Sequence, residues 1–358
     1  MKIFAIQRII AIAALAVSVA QGGTKTEAQS AILNLPRVSQ HARSIQRVGI
    51  TDISIDYHRP LVSGRKIFGG LQAYGKVWRA GANDNTTFEV SDPVTIDGHP
   101  LGKGIYGLHM IPGEDWIIIF SRNSTSWGSF TYDQAEDALR INVAPRTTQN
   151  QEALTYGFDD PRPDSVMVTM RWETVAVSFK IEVDTPRLVE ESLRKQLRGR
   201  AQFEWQPWTE AANYLLNSKL SPETALKYAD RSIENEDRFE NEITKANALK
   251  VLGRVDEAHA AHDKAISLGT QSQVHDFGRT LQTQGRYDEA LEFFRDNIKK
   301  NPDSWIGHNE AARVAVSQRD FATAVKEMKL AAQVAPESLK AQHLDLIRRL
   351  ENNEDINK

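Results

Sequence analysis

Gly253-Arg254-Val255-Asp256-Glu257-Ala258 returns as Gly285-Arg286-Tyr287-Asp288-Glu289-Ala290, and again, altered, as Gln318-Arg319-Asp320-Phe321-Ala322-Thr323-Ala324. With Ala225 upstream, the anchoring alanines lie 33, 32 and 34 residues apart. A period of this length marks stacked supersecondary units, none of which can bury its apolar face alone. Each unit reads as a pair of helices. Such stacks bind other proteins more often than they carry out chemistry.

Outward from the repeats, the rest of the chain has a different periodicity. From about residue 36 to residue 184 the apolar period is two. Val175, Val177, Phe179, Ile181 and Val183 alternate with Ala176, Ser178, Lys180 and Glu182, the pattern of a strand with one buried face. Val166, Val168, Met170 and Trp172 alternate in the same way, and Glu173-Thr174 between the two runs predicts a hairpin. Ile53, Ile55 and Tyr57 give another strand, with Ser54, Asp56 and His58 on the wet side. Val94 and Ile96 lead into Asp97-Gly98, whose residue types suit the positive φ angles of a tight hairpin turn, with Ile105 to Ile111 as the return. Trp116 to Phe120 is a further apolar run. Many short strands separated by Gly and Pro predict an antiparallel sandwich or barrel. Thr185-Pro186 then predicts the capped start of a helix.

The chain therefore divides into an expected signal peptide at 1–28, a β domain at 29–184, a connecting helix at 185–202, helical repeats at 203–336, and a capping helix with a tail at 337–358. The class is α+β multidomain. Lys2 and Arg8 precede an apolar run from Ile9 to Ala20, and Ser18-Val19-Ala20 supplies the small residues of a cleavage site, with a second candidate after Ala28. Export to the periplasm or beyond is expected, with no membrane span after signal removal. The chain of 358 residues has a net charge of −3, which argues against a nucleic-acid footprint. It contains no cysteine, so disulfides, zinc–thiolate sites and thiol nucleophiles are excluded.

Arg59-Pro60, Gly64 to Gly69, Tyr74-Gly75, Trp78 to Asn83, Gly104 to Leu108 and Trp127-Gly128 together resemble a bacterial family catalogued as domain of unknown function, family 2911. The resemblance covers roughly residues 36 to 184. It implies an exported, mostly β domain and supplies no reaction. Residues 203 to 336 resemble the tetratricopeptide repeat. In the best unit Gly278, Leu281, Tyr287, Ala290, Phe294, Ile298 and Pro302 match that pattern, whereas Asn213 departs from it in the first unit. Ser221-Pro222 marks a helix start there, and Leu339 to Leu350 reads as a solvating end helix. The resemblance implies a concave face carrying Asn247 and Lys250, then His275, Arg279 and Gln282, then Asn309 and Arg313. That polar, mildly basic set would suit an acidic partner segment or a free carboxylate. A merely solvated or self-packed face is the alternative.

No zinc-protease motif or nucleophile elbow is present, and no metal or cofactor is expected. Gly98 to Gly104 lacks the spacing of a phosphate loop, and His259 with His262 lacks a third ligand. A nucleophile in the Ser121–Ser129 loop would need a histidine base and an acid brought close in space. The remaining candidate is the stretch Trp78, Arg79, Asn83 and Asp84, with His58, Arg59, Arg65 and Trp127. Stacked Trp, Arg and amide groups could hold a sugar, a carboxylate or a peptide end. In the competing structural reading these arginines pair with acids such as Asp52, Asp84 or Glu89 and tie loops together. The functional expectation is a protein-interaction scaffold with a ligand-binding β domain. The alternative is a hydrolase or carbohydrate-binding module near Trp78–Asn83.

Overall fold

The computed structural model describes residues 35–358, so the expected signal peptide at 1–28 lies outside the described residues. The chain forms two units that divide between Val183 and Asp184.

Among the described residues the first unit holds ten antiparallel strands in two sheets. One sheet has six strands, in the order β1 (Gln40–Val48), β2 (Thr51–Arg59), β3 (Thr87–Val90), β6 (Gly104–Ile111), β7 (Trp116–Ser121) and β8 (Asp137–Val143). The other runs β5 (His99–Leu101), β4 (Val94–Ile96), β10 (Ser165–Glu182) and β9 (Arg146–Asp159). The inward positions meet in an aromatic core. Phe88 and Phe120 from the first sheet pack edge-on against Phe179 of the second. Phe68 is edge-on to Trp116, Trp78 and Trp172. Of the antiparallel sandwich or barrel that the strand periodicity predicted, two packed sheets are found.

Three local expectations change. The hairpin expected at Glu173-Thr174 does not form, because β10 is one strand of 18 residues. Glu173 takes a φ of 54° and the register against β9 shifts on both sides of it, so the break in alternation is a bulge. The turn at Asp97-Gly98 does form, with φ of 44° and 83°, but its return strand is β5, while β6 belongs to the other sheet. The wet face expected of β2 is largely covered, since Ser54 and His58 are both buried.

The second unit is helical. α1 (Thr185–Gln196) is capped by the Asp184 carboxylate, which accepts from Arg187 N, rather than by Thr185, whose hydroxyl has no partner. Four pairs follow: α2 (Trp205–Asn217) with α3 (Pro222–Asn235), α4 (Phe239–Val251) with α5 (Val255–Leu268), α6 (Gln271–Thr283) with α7 (Tyr287–Ile298), and α8 (Trp305–Ser317) with α9 (Phe321–Val334). The repeating alanines Ala225, Ala258, Ala290 and Ala324 are all buried. They sit where the second helix of each pair crosses its neighbours, which demands a small side chain. Gly278 does the same in a first helix, because a Cβ there would overlap the ring of Phe294. Asn213 is accommodated by a polar contact, accepting from Thr244 Oγ1 at 3.2 Å. The end helix α10 (Glu337–Glu351) lays Leu346, Ile347 and Leu350 against Ala312, Val316, Ala324 and Met328. The tail after α10 then turns back, burying Ile356 in the same cluster. Among the described residues no helix is long and apolar enough to cross a membrane.

Candidate functional site

The β unit carries a cleft of about 680 Å³, lined among others by Arg65, Trp78, Arg79, Asn83, Trp127 and Phe130. Five of the eight residues singled out in this half therefore share one cavity. Their roles differ from the expected ones. Trp78 is 6% exposed, stacked on Trp172 at 5.6 Å, and its ring N–H donates to Gly81 O at 3.0 Å. It is a core residue with one edge at the cleft, not a free stacking platform. The exposed rings are Trp127 at 43% and Phe130 at 79%.

Arg59 lies outside the cleft lining; it ties β2 to β9 by donating to Leu154 O at 3.0 Å and Thr155 Oγ1 at 2.8 Å. Arg65 donates to Leu61 O and Val62 O, closing its own loop. His58 is buried with Asp84 3.8 Å away, and burial pushes its pKa below the usual histidine value, with the Asp84 charge opposing. Asp84 is also 3.8 Å from Arg37. Neither His58 nor Asp84 lines the cleft.

The acids expected to neutralise these arginines are engaged elsewhere. Asp52 pairs with Arg47 at 2.7 Å, Glu89 with Arg43 at 3.0 Å, and Asp84 with Arg37. Among the described residues Arg79 has no carboxylate within ion-pairing distance. Its guanidinium donates to Asn83 O, lies 5.0 Å from the centre of the Phe130 ring, and packs so closely on Gly128 that a Cβ there would collide with it.

Sequence reasoning missed two neighbours of this arginine, Phe130 and His109, and held a third, Ser129, only as part of the Ser121–Ser129 loop. Phe130 carried no motif. Ser129 stood at the end of a polar loop, and His109 stood in the middle of β6. The structure brings the last two together, His109 Nδ1 to Ser129 Oγ at 2.9 Å. Burial first, and the Arg79 charge second, push the His109 pKa down to about 4. A base that weak is poorly matched to activating serine at neutral pH. Among the described residues no carboxylate is hydrogen-bonded to this imidazole, which faces the Tyr132 ring edge at 5.5 Å. The pair has the members of a nucleophilic dyad without the acid that would orient and charge it.

In the helical unit, the expected groove residues are not displayed to solvent as a set. Lys250 is exposed and pairs with Glu289 at 3.0 Å, and Asn247 is half-buried. His275, Gln282, Asn309 and Arg313 are buried. Arg279, half-buried, donates to Gln282 Oε1. What covers part of this set is the chain's own tail. Arg313 donates to Ile356 O at 2.6 Å and to Asn309 Oδ1 at 2.9 Å. Gln282 Nε2 donates to Asn357 Oδ1 at 2.8 Å, and Asn357 Nδ2 donates to Arg313 O at 2.9 Å. Deeper in, His275 Nδ1 and Asn297 Nδ2 both reach Glu310 Oε1, at 3.0 and 2.8 Å. Burial dominates here, pushing Glu310 up to about 8 and His275 down to about 3, so the pair is neutral at pH 7. Arg313 is pushed down to about 9 by burial and remains charged.

Residues 39–181 match one family model, described as Protein of unknown function (DUF2911). The β unit is thus similar to that family over nearly all its strands, as its motifs indicated. No curated protein matches the chain. Among solved structures, it is similar to MamA, with 17% identity over 44% of this chain and 92% of that one at a TM-score of 0.28. It is also similar to YrrB, described as a TPR protein with an unusual peptide-binding site, with 18% identity over 44% of this chain and 99% of that one at a TM-score of 0.21. A third is the APC/C hetero-tetramer Cut9-Hcn1, with 18% identity over 48% of this chain and 34% of that one at a TM-score of 0.27.

Proposed function

We propose that the protein is an exported interaction scaffold whose helical repeats hold a short segment of a partner protein across α6 and α8. The observation that carries the reading is the seat of Ile356 and Asn357. There the helices already grip a short turn of the chain's own tail: a guanidinium on a backbone carbonyl, a carboxamide pair, and an apolar socket for one aliphatic side chain. Backbone and side-chain contacts of this kind are what peptide-binding grooves use. The partner segment would present an aliphatic residue followed by Asn or Gln, and would displace the tail. Export rests on the positive, apolar and small-residue pattern of residues 1–28.

The test is fluorescence anisotropy with a labelled peptide copying residues 351–358. The receptor is an Ile356→Asp, Asn357→Ala variant whose own tail is released. Saturable binding is expected, together with its loss when Arg313→Met is added. A released groove that ignores the peptide, or binds it equally well without Arg313, overturns the reading. Location is tested separately by fractionating cells that express the full chain. Recovery of the unprocessed protein with the cytoplasm would remove the export component.

A further inference from the structure

We infer that the cleft of the β unit binds a small organic carboxylate, with Arg79 as its counter-ion and the rings of Trp127 and Phe130 as its walls. The volume of about 680 Å³ is that of a small-molecule site. Its lining is mixed, with polar groups such as Ser63, Gln72 and Ser129 and an apolar part of Val38, Leu61, Leu71 and Val77 beside the two exposed rings. Within that lining Arg79 stands without an acid. A guanidinium offers five N–H donors, and the hydrogen bonds recorded for this one end on a single backbone carbonyl. Removing such a charge from water without a counter-ion is costly, and a ligand carboxylate would remove that cost with a bidentate, charge-assisted pair.

The loop that carries Arg79 is held as a binding loop should be. Ala80 and Asn83 both adopt left-handed φ, 49° and 57°, where non-glycine residues are strained. The strain is sustained by buried donors: Trp78 Nε1 bonds Gly81 O, and the Tyr156 hydroxyl bonds Ala80 O at 2.7 Å. Gly128 and Phe130 then fix the guanidinium between backbone and ring. The site is organised before any ligand arrives, which lowers the entropy lost on binding.

A carboxylate fits better than a phosphate. Arg65 adds positive charge to the same lining, but two of its five N–H donors are held by Leu61 O and Val62 O, which ties its guanidinium to its own loop, whereas Arg79 spends one. The apolar walls suit a monoanion with a flat or hydrocarbon body.

The experiment titrates the full-length protein, by calorimetry and by NMR, with phenylacetate, phenylacetamide, acetate and inorganic phosphate. Phenylacetate should bind with Kd on the order of 1 mM for so small a ligand, and phenylacetamide roughly tenfold or more weakly. Arg79→Gln should abolish the difference between the two. A second readout reports the arginine directly. The Arg79 charge helps to hold His109 down, so a bound carboxylate should raise the His109 titration midpoint, whereas phenylacetamide should leave it unchanged. If Arg79→Gln fails to fold, the carboxylate-against-amide comparison and the His109 shift still decide on the unaltered protein, and Phe130→Ala, at an exposed ring, should weaken phenylacetate and phenylacetamide while leaving acetate unchanged. Equal binding of acid and amide, phosphate binding tighter than phenylacetate, or no binding by any of the four overturns the proposal.

Discussion

Replacing Ile356 by alanine tests whether the tail is a displaceable occupant of the groove or part of its wall. Ile356 is 3% exposed, and burying such a side chain contributes about 2 kcal/mol. The Arg313 bond to Ile356 O contributes about 2 kcal/mol, and the two bonds of the Asn357 side chain about 1 kcal/mol each. Ordering the residues from Asp355 to Lys358 costs about 1.5 kcal/mol apiece, or ~6 kcal/mol. Gain and cost nearly cancel, so the docked state is favoured by little. Ile356→Ala leaves every hydrogen bond possible and removes ~2 kcal/mol of burial, a shift of about thirtyfold toward the released state. Two measurements follow. Exchange of the Asn357 amide, which now bonds Asp355 Oδ1 at 2.9 Å, should accelerate by about twofold, the most that a tail already released about half the time allows, while amides of α8 stay protected. The affinity of a peptide copying residues 351–358 should rise by about twofold, because a site open for about half the time binds more weakly by that fraction. Unchanged exchange with unchanged affinity would refute the reasoning. So would a loss of stability spread over the whole helical unit, since Ile356 would then belong to the repeat core.

Three further outcomes are expected. Gly278→Ala should destabilise the helical unit by ~2 kcal/mol in urea melts, because overlap with Phe294 outweighs about 1 kcal/mol of helix propensity, and Phe294→Leu should restore part of the loss. Trp78→Ala should lower the stability of the β unit by about 3–5 kcal/mol, since the stack on Trp172 is core, and a variant that stays fully stable would contradict that placement. For pH, Glu310 has a folded pKa of about 8, above its usual 4.5, so its contribution is present below 4.5 and lost as pH rises toward 8. His275 runs the other way, its contribution present above 6.5 and lost as pH falls toward about 3. Glu310→Gln should therefore flatten the decline in stability between pH 5 and 8, gaining on the order of 2 kcal/mol at the upper end, and an identical pH slope in the variant would show that Glu310 is already ionised.

The elements were legible where a pattern is repeated and local. Four alanines at one interval fix four helix pairs, because each interval of close approach tolerates only a small side chain. The Asp97-Gly98 turn was legible because two consecutive positive φ angles select those residue types. The bulge at Glu173 was not, since a break in alternation looks the same whether the chain turns back or absorbs one extra residue. Trp78 was misassigned for a similar reason: an aromatic beside Arg and Gly has one sequence signature and two possible environments, and only the position of Trp172 decides between them. His109, Ser129 and Phe130 meet because β6 and the loop after β7 converge, and that is tertiary geometry with no local trace. On the helices the polar face was legible and its occupant was not, because nothing in Asp355-Ile356-Asn357-Lys358 marks it as a ligand for residues on α6 and α8.

Two arginines now stand in instructive contrast. Arg313 is the more deeply buried, yet its hydrogen bonds all go to uncharged acceptors: the carbonyl of Ile356, Asn309 Oδ1, and Gln282 Oε1 at 3.5 Å, with the Asp355 carboxylate of the tail acting on it from further off. No acceptor in contact is an ion, so an incoming peptide carrying a carbonyl there and an acid in place of Asp355 leaves the electrostatics of the site almost unchanged. That is the condition under which an intramolecular segment can be replaced without a large barrier in free energy. Arg79 is less buried but worse satisfied, with one carbonyl and, among the described residues, no carboxylate in contact, Asp84 acting on it only from a distance. Its local competitors, Asp52, Glu89 and Asp84, are each drawn to another arginine by strand register or loop placement. A cation kept free in this way, on a loop held in strained φ by two buried aromatic donors, is preorganised for charge from outside the chain. The two groups therefore call for different ligands: the repeats for neutral backbone, and the β cleft for an anion.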